Sequence, residues 1–163
     1  MTDFILPISM ALALFTYGLI AKWYLVPWMD SVSRPAALSP ILLFHGFRYI
    51  GLAFLLPGVT ATALDPAFAN PAAYGDLIAA LLALGAVLAL RLGLPGTLLL
   101  VWIFNVWGTL DLLNAVYTGL RLTPAADFGA TYFIPTVIVP ALLVTHFLVF
   151  RELLKKRPEP EHA

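Results

Sequence analysis

The sequence predicts an all-α polytopic membrane protein, a bundle of five transmembrane helices, on three observations. The 163 residues are 61% hydrophobic and only 11% charged, with a mean hydropathy of +0.93. A soluble domain of this size has too little interior to hide so much apolar surface. Five stretches reach the roughly 20 largely apolar residues that a helix needs to cross a bilayer. The breaks between them hold the Pro, Gly, Asn and Asp clusters that end helices.

The first stretch, 4–28, has no basic residue ahead of its apolar run, and that run is longer than a secretion signal's, so it reads as a retained helix. Trp23, Tyr24 and Trp28 at its end form an interfacial aromatic anchor. The loop "WMDSVSRPAALSP" leads to the second stretch, 40–56, which contains "ILLFHGFRYIGLAFLLPG". A long connection, "GVTATALDPAFANPAAYGD", precedes the third, 74–94. There Ala79, Ala83, Gly85 and Ala89 suit close helix contact, within the chain or against a second copy in a homodimer. No chemistry is read on this helix. "RLGLPG" turns tightly into the fourth stretch, 96–118. The fifth, 131–150, carries Pro135 and Pro140, each of which removes a backbone donor and frees a carbonyl one turn back. Residues 1–150 make one domain, and 151–163 form a short polar tail.

Charge supplies orientation. With five spans, Lys22, Arg34, Arg91, Arg151, Lys155, Lys156 and Arg157 fall on the side of the tail, and Arg121 alone flanks the other. Basic loops mark the cytoplasmic face. The N-terminus is therefore expected outside and the tail inside, in a bacterial-type cytoplasmic (inner) membrane. The lipid bilayer is the expected partner. A formal net charge of zero speaks against nucleic acid.

Two groups of polar residues lie within the apolar stretches, and such residues are functional candidates by default. At about 1.5 Å per residue, His45 and His146 come out about 7 Å from the inner boundary, with Arg48 and Asn105 near 12 Å. His45, Arg48 and Tyr49 follow i, i+3, i+4 spacing, so an α-helix would put them on one face. The side chain of Arg48 leans back toward the cytoplasm and can snorkel there. His45, Arg48, Tyr49, Asn105 and His146 thus form a candidate polar pocket for a lipophilic small molecule or a lipid headgroup. The plainer alternative is an inner-leaflet anchor with two helix-bridging histidines.

The second group centres on Asp111, about 20 Å from the inner boundary. It shares a stripe with Trp107, Asn114 and Thr118, and Tyr132 and Thr136 are expected at similar depth. Asp111, Asn114, Tyr132 and Thr136 form a candidate proton or cation site. A protonated carboxyl bonded between helices is the structural alternative.

There is no cysteine, and no zinc spacing, HExxH, Walker loop, GxSxG or paired-carboxylate signature. Hydrolase and NTPase activities have no foundation here, and no metal site is read. The leading expectation is ligand binding in the intramembrane pocket. The alternatives are a b-type haem redox protein with His45 and His146 as axial ligands, a proton- or cation-coupled transporter using Asp111, and a structural subunit of a larger membrane complex.

Overall fold

The computed structural model describes residues 4–156; the predicted tail from 157 onward lies outside them. Five helices are long and apolar enough to cross a membrane: α1 Ile5–Ser31, α2 Arg34–Leu55, α3 Pro66–Arg91, α4 Thr97–Leu122 and α5 Ile134–Leu154. No strand occurs among the described residues. Each predicted stretch corresponds to one helix, but the ends differ in ways that matter for the site.

α3 begins at Pro66, not at residue 74. Asp65 caps it by accepting from the Ala67 N–H at 2.8 Å. Pro66 sits at the first helical position, where its missing N–H is harmless. The second half of the connection, from Pro66 onward, is therefore helical, and Asp76 lies well inside α3. At the other end of the chain, Arg151 and Glu152 continue α5 and do not belong to a tail.

Prolines shape α1 and α5. Wide π-helical turns span Ala21–Leu25 and Ile134–Ile138. Each ends two residues before a proline, Pro27 or Pro140. A proline ring crowds the carbonyl one turn back, and an extra residue in the turn relieves the clash. The break expected in the last helix takes this form.

α2 is the unusual element. It is α-helical from Arg34 to His45, then a 3-10 helix from Gly46 to Leu55. Ten residues is long for a form usually limited to three or four. With three residues per turn, every third side chain shares a face, and His45, Arg48, Gly51 and Phe54, spaced by three, are buried, with Gly46 beside them. Tyr49 is turned away and is 51% exposed. This corrects the expected grouping of Tyr49 with His45 and Arg48, which assumed 3.6 residues per turn. The segment presses on α3, where a methyl group on Gly46 would meet Leu84 and one on Gly51 would overlap Asp76.

Two apolar cores fill the bundle. One contains Met29, Leu38, Leu42, Ala83, Val101, Phe104 and Leu148. The other contains Phe54, Phe68, Leu112, Phe128 and Leu142. His45 and Arg48 on α2, Asp76 on α3, Asn105 on α4 and His146 on α5 fall between members of the two cores, so a polar layer crosses the bundle between them. Ala79, Ala83 and Ala89 of α3 pack within the chain. Beyond the first core, Asp30 pairs with Arg151 and Lys155, both at 2.7 Å, and Arg34 lies 3.7 Å from Glu152. Beyond the second, two backbone bonds of 3.0 Å join the connections, Ala61 N–H to Asp127 O and Ala130 N–H to Val59 O.

Candidate functional site

Arg48 stands at the centre of the polar layer and is 2% exposed. Its Nε–H donates to Asp76 Oδ1 of α3 at 2.7 Å. One Nη2–H donates to Asp111 Oδ2 of α4 at 2.6 Å. Nη1 donates to the Gly108 carbonyl and to His146 Nε2, both at 3.2 Å. Four helices are thus tied through one guanidinium, and four of its five N–H groups are engaged.

The hydrogen bonds fix the histidine tautomers. Arginine only donates, so His146 Nε2 is an acceptor and its proton is on Nδ1. That N–H donates to Asn105 Oδ1 at 2.7 Å, and Asn105 Nδ2 donates in return to the His146 carbonyl at 3.2 Å. Asn105 therefore locks both ring and backbone. Thr145 gives its hydroxyl proton to the Ala141 and Leu142 carbonyls, so His45 Nε2–H is the donor in the 3.0 Å contact with Thr145 Oγ1. His45 Nδ1 is buried and has no hydrogen-bond partner among the described residues.

Three glycines admit these groups. A methyl group at Gly51 would overlap the Asp76 carboxylate, one at Gly75 the Asp111 carboxylate, and one at Gly108 would lie 2.6 Å from His146 and 2.7 Å from Arg48. Each is on a different helix, and each lets a charged or polar side chain rest directly on backbone. A real Cβ does not approach other atoms so closely, so all three positions exclude any larger residue without movement.

The layer has two openings of different kind. Asp76 borders a small apolar cavity of about 30 Å³ with Phe54, Phe68 and Phe128, enough space for a water molecule. Asp111 is on the floor of a groove of about 530 Å³ between α3 and α4. The side chain of Asp111 is 10% exposed. Its Oδ1 accepts no hydrogen bond among the described residues.

Of the predicted pocket, His45, Arg48, Asn105 and His146 come together and Tyr49 does not. Of the predicted proton or cation site, Asp111 and Asn114 share the α3–α4 groove. Tyr132 and Thr136 are elsewhere: the Tyr132 hydroxyl meets Ser9 Oγ at 3.1 Å, and Thr136 donates to the Tyr132 carbonyl at 2.7 Å. The two expected sites merge, because Arg48 does not snorkel along its helix but turns inward to Asp111. The 3-10 segment rises about 2.0 Å per residue, not 1.5 Å, which alters depths counted on an α-helix. A helix starting at residue 74 puts Asp76 in its first turn, where a carboxylate is ordinary; the start at Pro66 carries it into the span. Asp65-Pro66, a capping residue before a helix-compatible proline, is the signal that would have found it.

A haem does not fit these residues. The rings of His45 and His146 contact each other, with centroids 4.2 Å apart, leaving no slot for a macrocycle. Both nitrogens of His146 are already bonded within the layer.

The chain belongs to the family described as Domain of unknown function (DUF8737), whose model matches residues 5–154. No curated protein and no solved structure matches it.

Proposed function

We propose that this chain is an integral membrane protein whose Arg48–Asp76–Asp111 cluster is the proton-binding centre of a proton-coupled transport process. One observation carries the reading: two carboxylates share a single guanidinium in the buried interior, and one of them lines an open groove. With both acids ionised the three groups sum to one negative charge, and an uncompensated charge inside a bilayer is costly. One bound proton neutralises the cluster. Within this three-group cluster the carboxylates are the groups that can take the proton, and His146 beside them is already committed as an acceptor to Arg48.

Occupancy then has a mechanical consequence. Asp76 is on α3, Asp111 on α4 and Arg48 on α2. When the proton leaves, both carboxylates compete fully for the guanidinium, and α3 and α4 are drawn onto α2. When it binds, one of the two ion pairs weakens and that helix is released. The groove between α3 and α4 is where such a change would be felt. The engaged donors of Arg48 weigh against a lipid headgroup as its ligand. In a cytoplasmic membrane, the excess of Lys and Arg near Asp30, Arg34 and Lys155 sets that end inside.

Infrared difference spectroscopy of the protein in lipid nanodiscs tests the reading. A protonated-carboxyl C=O band that titrates with pH, shifts in D2O and is lost in Asp111→Asn or Asp76→Asn is the expected result. Absence of such a band throughout the pH range in which the protein stays folded overturns it.

A further inference from the structure

The α3–α4 groove contains more than a route to Asp111. Its walls carry Tyr74 and Trp107, 55% and 44% exposed, and its rim carries Asn70 and Asn114. Ile78 and Leu110 complete an apolar flank. At about 530 Å³ it has the size of a small-molecule site. No lysine or arginine lines it, so nothing there receives an anion.

We propose that this groove binds a monovalent organic cation with an apolar body, its charge at Asp111 Oδ1 and its body against Trp107 and Tyr74. Oδ1 is the carboxylate oxygen that Arg48 leaves unbonded, and an aromatic face attracts a cation within about 6 Å. A bare inorganic cation fits poorly: calcium or magnesium wants six or more oxygens, and the groove offers one carboxylate and two carboxamides among apolar walls. A neutral lipophile would leave Asp111 Oδ1 without a partner. The groove lies along two apolar helices, so in a bilayer it faces hydrocarbon and the ligand enters sideways from the membrane. The proposal rests on the proton-binding reading for one feature only: cation and proton compete for the same negative charge.

The test is calorimetric titration of the full chain in nanodiscs with tetraphenylphosphonium, using tetraphenylborate as an anion of the same shape and empty nanodiscs as blank. Saturable binding of about one phosphonium per chain is expected, with none for the borate. Asp111→Asn should weaken it at least tenfold. Trp107→Leu, which leaves the Arg48 ion pairs in place, should weaken it roughly two- to thirtyfold, and acidification should weaken it in the wild type. Binding no greater than in empty nanodiscs overturns the proposal. So does equal binding of both ions, or unchanged affinity in Trp107→Leu. If phosphonium fails while the titrating carboxyl band persists, this inference falls and the proton-binding reading stands. If phosphonium binds with both losses and no carboxyl band titrates, the reverse holds.

Discussion

Two ion-pair networks tie this bundle together, and they differ in almost every physical respect. At one end, Asp30 meets Arg151 and Lys155 at 2.7 Å, each partner roughly a third exposed and able to reach water. In the interior, Arg48 meets Asp76 and Asp111 at 2.7 and 2.6 Å, and none of the three side chains is more than 10% exposed. Exposed pairs are screened by salt and add little. A buried group has lost its hydration, so removing one partner strands the other. The end network fastens α1 to α5 and tolerates rearrangement; the interior network dictates which charges the layer contains. Similar distances therefore describe quite different constraints.

The largest expected effect comes from breaking the interior network at its centre. Arg48→Met leaves two buried carboxylates without their cation and should cost about 3–5 kcal/mol, read as a fall in detergent-melting temperature. Arg48→Lys should recover only part of it, because one ammonium cannot reproduce the guanidinium fork.

Close behind are the glycines. Gly75→Ala and Gly108→Ala each place a methyl group where a carboxylate, or the His146 ring and Arg48, now rests. Overpacking of this kind costs about 1–3 kcal/mol, and the loss should appear in the same melting assay. Gly85→Ala, which meets open space, is the control and should be neutral or slightly stabilising.

A smaller effect belongs to the support of His146. Asn105→Ala removes the acceptor of its Nδ1–H and leaves a buried donor unpaired, at about 1–3 kcal/mol. Nitrogen-15 NMR of labelled histidine should show the His146 tautomer losing its preference.

The smallest effects sharpen the contrast from the other side. Asp30→Asn should shift melting little, and added salt should erase the difference from wild type, whereas salt should leave the Arg48→Met deficit intact. Tyr49→Ala should also be nearly silent. A large loss there would contradict the three-residue turn that points Tyr49 outward.

Much of the candidate site was legible one residue at a time. His45, Arg48, Asn105, Asp111 and His146 each stand out because ionisable and amide groups are expensive in an apolar stretch. Their grouping was not legible. A count at 3.6 residues per turn joined Tyr49 to Arg48, and the 3-10 geometry of 46–55 separates them. Asp111 was assigned to Tyr132 and Thr136 on estimated depth, yet a long arginine on a steeper helix reaches it first. Asp76 was hidden by a helix start placed at residue 74.

By itself the sequence determined five long apolar helices and their order, and it singled out the ionisable and amide groups that are costly within them, because those follow from the cost of transferring each residue out of water. Only the tertiary structure decided that Arg48 takes two carboxylates, that three glycines make room for them, and that His45 and His146 touch ring to ring. Those facts depend on how helices of different pitch lie against one another, and pitch and packing are set by contacts between segments distant along the chain.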